Sequence, residues 1–316
     1  MTHKQKELYI LLLISAFCLF VYAFQIKSYL LLEIFGEAKY VSAAFSSIFS
    51  FNDIFTPKLN GVPFFEAGPL YYLILEFSAL IFRGFSVFSA RFPSVFIAFS
   101  TIIAIYFLSR RIFNKQFALI ASLSSLATLS FIIFSCVSSP SMIASCFITL
   151  SVLFGITPLF IGHEGHKKYY FFSFWIFLTL AVLTQGLYGM LFPLFVIIFI
   201  YTFFRKLSDF IKPNHFIQGF LVFIISTIIW LIFAFMNNGF DVLRAELMYI
   251  TPKLLSLKAY KSFLCNFSLF IFVGFMPWFF AVLIMFYNSL KNLSLNYIML
   301  LQQKKCITQI CPLSKL

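Results

Sequence analysis

The side chains able to do chemistry are unevenly placed along this chain. Between Glu33 and Arg91 lie Glu37, Lys39, Asp53, Lys58, Glu66, Glu76 and Arg83, with Tyr40, Asn60, Tyr71 and Tyr72 among them. A segment of that length between packed elements is too long for a simple connector and usually carries function. Lysines beside a bilayer bind anionic headgroups, as Lys39 and Lys58 could. Tyrosines at that level form an interfacial belt, which suits Tyr40, Tyr71 and Tyr72. Two other groupings suggest metal chemistry at first sight. His163, Glu164 and His166 are closely spaced, but Lys167 and Lys168 adjoin them and a solvated turn is the expected reading. Cys306 and Cys311 match no common zinc spacing. Cys18, Cys136, Cys146 and Cys265 sit in or beside apolar runs, where cysteine behaves as a small hydrophobe. No metal and no cofactor are expected.

The elements that must position these residues are membrane helices. The chain has 316 residues, of which 62% are hydrophobic and 10% charged. Its mean hydropathy is +0.99. Soluble domains carry about 25% charged residues, so a soluble enzyme and a nucleic-acid-binding module are both excluded. Apolar runs cover 8–32, 92–109, 117–138, 142–161, 169–184, 187–204, 216–236 and 263–287. Each is about the length of a bilayer span. Gln185-Gly186 divides what would otherwise be one overlong run. The apolar segment 69–82 is short for a span and carries Glu76, so it is expected to be interfacial. The predicted architecture is all-α, a polytopic bundle of about eight transmembrane helices with interfacial helices in the first outer loop.

Charge orients the bundle. The formal net charge is +13, which in a soluble protein would point to nucleic acid. Here Lys4, Lys6, Arg110, Arg111, Lys115, Lys167, Lys168, Arg205, Lys206 and Lys212 fall on one side, and most of the ten acids fall on the other. The positive-inside rule then gives a multi-pass inner-membrane protein with both termini cytoplasmic and the 33–91 loop periplasmic. The run from Leu8 follows Lys4 and Lys6 with no small-residue cleavage site, so it is read as an uncleaved first helix. No Asp, Glu, Lys, Arg or His lies deep in any span, which argues against a proton relay and weakens the reading of a membrane carrier. The segment 117–138 is rich in Ala, Ser and Thr and is expected to pack centrally in the bundle.

Several blocks then carry a family resemblance. The first loop reads Gly36-Glu37-Ala38-Lys39-Tyr40. It continues with Thr56-Pro57-Lys58-Leu59-Asn60-Gly61-Val62-Pro63-Phe64-Phe65-Glu66-Ala67-Gly68-Pro69-Leu70-Tyr71-Tyr72. Ala90-Arg91-Phe92-Pro93-Ser94, Arg110-Arg111-Ile112-Phe113, Leu183-Thr184-Gln185-Gly186 and Met276-Pro277-Trp278 follow. Together they resemble the integral-membrane glycosyltransferases related to protein O-mannosyltransferases and to the aminoarabinose transferase of lipid A. The resemblance implies transfer of a sugar from a polyprenyl-phosphate-linked donor to an acceptor hydroxyl at the periplasmic face. Such chemistry needs a carboxylate to accept the hydroxyl proton and cations around the departing phosphate. It implies Lys39, Tyr40, Lys58, Asn60, Glu66 and Tyr71 as substrate-binding residues, with the donor and membrane lipids as partners.

At five positions the chain departs from the family pattern. The family's first-loop Asp falls at Gly36 and its second Asp at Ser141; its loop Lys is Ala67, the Pro after it is Gly68, and its later Lys is Gln185. Glu37 is the fallback base. Three functions are therefore expected in order: a transferase, an inactive or truncated relative that only binds lipid-linked substrates, and a membrane carrier. The domain expectation is a glycosyltransferase-like unit over 1–290 and a cytoplasmic tail over 291–316. That tail resembles nothing in the family, as a truncation or frameshift product would.

Overall fold

A computed structural model of the chain describes residues 36–47, 55, 57–160, 164–210, 213–241 and short pieces at 274–275, 278–280 and 283–284. The expected first span, the tail, most of the expected last span and nearly all of the stretch 237–262 between the last two spans lie outside the described residues. So do His163, Cys18, Cys265, Cys306 and Cys311.

The described chain is almost entirely helical. Helix α1 is Glu37–Ser47, followed by a two-stranded hairpin, β1 (Lys58–Leu59) and β2 (Val62–Pro63). Then come α2 (Pro69–Ile81), α3 (Val87–Ile112), α4 (Lys115–Ala127), α5 (Leu129–Ser135) and α6 (Pro140–Ile156). The chain continues through α7 (Glu164–Gln185), α8 (Leu191–Phe203), the single turn α9 (Leu207–Phe210) and α10 (Pro213–Asn238). Among the described residues three helices are long and apolar enough to cross a membrane, four if the bent pair α4–α5 is counted as one span. The expected boundary at Gln185-Gly186 is present: α7 ends at Gln185 and Gly186 turns the chain with φ +81°.

Helix α7 is the axis of the bundle, packed between α6 and α10 and touched by α2. Its face Phe171, Phe174, Trp175, Leu178 and Val182 is buried against Ile197 and Tyr201 of α8 and Phe223 and Trp230 of α10. Those α7 residues recur at three- and four-residue spacing, the stripe a helix needs to bury one side. Outward-facing Phe195, Phe199, Ile225, Ile229 and Ile232 stay exposed, as side chains do where the solvent is lipid.

Two breaks in the helical ladder explain how α2 and α5 are set. Pro93 inside α3 has no N–H to give the Ser89 carbonyl. Ser78 of α2 fills that role, its hydroxyl donating to the Ser89 oxygen at 2.6 Å, which ties α2 to α3. The second break corrects the expectation of one straight span over 117–138. The pair α4–α5 is bent by 62°, at Thr128, whose ψ of 122° leaves the helical region. In a straight helix the Ser124 carbonyl would accept from the Thr128 N–H. Here it accepts instead from the Thr128 hydroxyl at 2.8 Å and from the Trp278 indole N–H at 2.8 Å. Side-chain donors entering the ladder in this way are a known cause of kinks. Trp278→Phe, which keeps the ring and deletes the donor, is expected to destabilise the purified protein by about 1 kcal/mol, the net value of one hydrogen bond. A melting curve in detergent checks this.

The segment 69–82 is short, as expected. Helix α2 has 13 residues, roughly 20 Å at 1.5 Å per residue, against about 30 Å of hydrocarbon. Helix α3, by contrast, is long and apolar enough to span: Arg91 and Arg110 stand roughly 29 Å apart along it, about the thickness of the hydrocarbon.

Candidate functional site

The site is built where α1, the hairpin, α2, α3 and the turn before α6 converge. At its centre is a buried ion pair. Glu37, first residue of α1, and Arg91, fifth residue of α3, are both 0% exposed. The Arg91 guanidinium donates from Nε to Glu37 Oε1 at 3.2 Å and from Nη2 to Oε2 at 2.8 Å, the two-pronged geometry that makes such pairs strong. The backbone N–H of Ser138 also donates to Glu37 Oε1. The Ser138 hydroxyl in turn bonds the Tyr71 phenol at 3.0 Å. One carboxylate thus joins α1, α3 and the turn before α6, and Tyr71 adds α2. Burial pushes the Tyr71 phenol above its ordinary value, partly opposed by the Ser138 bond, so it stays protonated.

Two residues along α1 the character changes. Lys39 pairs with the Glu66 carboxylate, and the two side chains are 35% and 37% exposed. The Tyr40 hydroxyl donates to Glu66 Oε2 at 3.3 Å. The Lys39 ammonium lies 5.0 Å from the Tyr40 ring centre and 5.6 Å from that of Phe64, distances at which a ring face attracts a cation. Tyr40 packs edge-on against Tyr71 at 5.5 Å, so the buried clamp and the open Lys39–Glu66 pair share a wall. The Tyr72 hydroxyl is buried without a hydrogen-bond partner, beside Tyr40, Tyr71 and Glu66.

Of the residues singled out in the sequence, Glu37, Lys39, Tyr40, Glu66 and Tyr71 come together here. Lys58 and Asn60 sit on the hairpin. The Lys58 carbonyl accepts from the Ser46 hydroxyl at 2.6 Å, which fastens β1 to α1. Asn60 and Gly61 form the two-residue turn, with φ of 53° and 81°. Asn-Gly is the sequence that a type I′ hairpin prefers, so the geometry of this block is a turn requirement in its own right. Gly36 precedes α1 at φ +68°, a left-handed conformation in which an Asp side chain would be strained. Ser141 follows Ser139, which caps α6 by accepting from the Ser141 N–H at 3.3 Å, and Ser141 lines a cavity of about 510 Å3.

Sequence reasoning missed three parts of the site. The motif block around Arg91 assigns it no role, although an Arg opening an apolar helix demands a partner. Ser138 left no signal, because it acts mainly through its backbone N–H. Gly68 was noted as a departure from the pattern. Its N–H donates to the Thr184 carbonyl at 2.9 Å, and an added Cβ would lie 2.2 Å from the Leu183 carbonyl oxygen. The loop carrying Glu66 is therefore laid directly on the last turn of α7, at the Leu183-Thr184 block.

Residues 66–233 match the family described as dolichyl-phosphate-mannose-protein mannosyltransferase. The chain belongs to this family. Two uncharacterized proteins of Aquifex aeolicus (strain VF5) are similar to it. One is 31% identical over 190 residues, which is 60% of this chain and 41% of that protein. The other is 26% identical over 261 residues, 81% of this chain and 50% of that protein. The chain thus spans half or less of the length of these relatives. Among solved structures, ArnT from Cupriavidus metallidurans bound to undecaprenyl phosphate matches with a TM-score of 0.67 at 18% identity, over 84% of this chain and 48% of that one. The apo form matches with a TM-score of 0.58 at 19% identity, over 65% and 38%. At these identities the likeness is one of fold: a polytopic helical membrane protein, as the apolar runs led us to expect. The resemblance read from the loop motifs holds at the level of the family.

Proposed function

We propose that this member of the mannosyltransferase family binds a polyprenyl-phosphate-linked sugar at the face carrying α1 and the hairpin, and transfers the sugar to an acceptor hydroxyl. The observation that carries this reading is the half-open Lys39–Glu66 pair, braced by Tyr40 beside a rigid clamp. A lipid phosphate brings more charge to Lys39 than the Glu66 carboxylate does, and it takes over the ammonium. Glu66 is then released to act as base. The acceptor oxygen attacks the anomeric carbon, and the bond from that carbon to the phosphate oxygen breaks. The phosphate keeps the electron pair and stays on Lys39, and the acceptor proton passes to Glu66. Glu37, the fallback base on sequence grounds, has both oxygens engaged in the clamp, and we assign it a positioning role. Tyr71 shares that role, and Tyr40 orients Glu66. Lys58 and Asn60 contact headgroups or acceptor from the hairpin.

In this reading the clamp face is the periplasmic side of the inner membrane and both chain termini are cytoplasmic, following the distribution of positive charge. A second reading is supported by Gly36, where the family pattern has an Asp: the protein binds lipid-linked sugars without transferring them. Purified protein, radiolabelled polyprenyl-phosphate sugars and a panel of acceptors separate the two. Lys39→Ala is expected to weaken donor binding about tenfold or more, as loss of a charge-assisted hydrogen bond does. Glu66→Gln is expected to lower transfer by about a hundredfold or more while donor still binds. Donor binding with no transfer to any acceptor would establish the second reading, and transfer undiminished in Glu66→Gln would overturn the proposed base.

A further inference from the structure

We infer that the membrane face opposite the clamp carries a binding site for an anionic phospholipid, seated in the recess between the end of α3 and the start of α7. The recess has a volume of about 370 Å3. Its lining takes polar atoms from Arg111, Tyr169, Tyr170 and Ser173 and apolar surface from Ala104, Phe107, Leu108 and Phe154, with Phe154 and Tyr170 packed at 6.0 Å between ring centres. Ala104 lies two turns from Arg111 along α3, roughly 10 Å nearer the middle of the bilayer. The recess is therefore amphipathic along the membrane normal, with a cation at headgroup depth and aromatic and aliphatic walls at acyl depth. That is the profile of a phospholipid.

The cation is held in place for this use. Arg111 donates to the Tyr170 hydroxyl, and its guanidinium lies 5.8 Å from the Tyr170 ring centre. Tyr170 is buried, so it fixes the guanidinium from one side. Arginine has five N–H donors in a planar fork suited to phosphate, and Arg111 itself remains exposed. Phe113 and Phe160 pack at 6.1 Å, and Phe160 and Phe204 at 6.3 Å. With the Arg111–Tyr170 contact, the ends of α3 and α8, the turn after α6 and the start of α7 therefore meet at one level. These segments carry Arg110, Arg111, Lys115, Lys167, Lys168, Arg205 and Lys206, with Glu164 and Asp209 as the acids among them. Such an excess of positive charge selects an anionic headgroup over a zwitterionic one.

Native mass spectrometry of the full-length protein in mild detergent, with melting curves alongside, tests this independently of any transferase activity. The probes are phosphatidylglycerol, phosphatidylcholine and inorganic phosphate. Phosphatidylglycerol is expected to be retained at least about tenfold over phosphatidylcholine and to raise the melting temperature, with phosphate alone having no effect. Arg111→Ala is expected to lose about tenfold in retention, the factor one charge-assisted hydrogen bond supplies. Arg110→Ala, about 100° around the helix, removes the same charge without the recess contact and is expected to lose less than Arg111→Ala. Ala104→Trp leaves every charge in place but fills the apolar end, and it too is expected to lose the lipid. Should Arg111→Ala fail to fold, Ala104→Trp decides. Equal retention of the two lipids, unchanged retention in Ala104→Trp, or the same stabilisation by phosphate alone would each overturn the site.

Discussion

Glu37→Ala is expected to be the most damaging single substitution in the described part of the molecule, destabilising it by about 3–5 kcal/mol. Removing the carboxylate takes the two-pronged counter-charge from the Arg91 guanidinium, which is 0% exposed, in a place water does not reach. It also leaves the Ser138 N–H without this acceptor. Glu37→Gln keeps the shape and one acceptor oxygen but loses the charge, and is expected to fall between wild type and Ala. The double replacement Glu37→Leu with Arg91→Met is the informative control. Buried ion pairs can often be exchanged for apolar pairs of similar volume at little loss, so the double variant is expected to melt well above Glu37→Ala. If Glu37→Ala melts like wild type in detergent, the clamp does not hold α1 to α3. If the double variant melts no higher than the single one, the damage comes from lost packing rather than from the lost counter-charge.

Much of the fold could be read from the sequence because a bilayer imposes length. The apolar runs 92–109 and 216–236 each fall within a helix, 142–159 falls within a helix and its short continuation, and Gln185-Gly186 marks the division made there. The features that were not legible depend on partners far along the chain. Nothing local to Thr128 announces a 62° bend, because one of the donors that caps Ser124 is Trp278, 154 residues away. The clamp joins residues 54 and 101 positions apart, and one of its members is a backbone N–H that any residue but proline supplies. Motif reasoning picked out Glu37 for its carboxylate and read that carboxylate as a base. Burial gives it another task, and burial is not visible one residue at a time. Pattern reasoning was also indifferent to why Asn60 and Gly61 occur together, although the turn they form follows from backbone sterics alone.

Gly68→Ala is the second large effect, and it tests how the site is seated on the bundle. A single methyl group at 68 would approach the Leu183 carbonyl oxygen to 2.2 Å and the Leu183 carbonyl carbon to 2.6 Å. Both are backbone atoms in the last turn of α7, the central helix, so neither can swing aside as a side chain would. The loop must lift instead, lengthening the Gly68 N–H to Thr184 carbonyl bond of 2.9 Å and pulling Glu66, two residues back, away from Lys39. Forced overpacking of this kind costs about 1–3 kcal/mol, and the weakened hydrogen bond adds about 1 kcal/mol. The expected result is a lower melting temperature together with weaker binding of polyprenyl-phosphate donor, since displacement of order 1 Å disrupts a preorganised site. Gly61→Ala is the matched comparison. It meets nothing within 4 Å, and its strain comes only from φ +81°, so its effect is confined to the hairpin. Equal losses of donor binding in the two variants would mean that the loop does not depend on its contact with α7. The same geometry accounts for the absence of the family's proline at this position. A proline at 68 would have no N–H for Thr184, and its ring would enter the space the Leu183 carbonyl occupies.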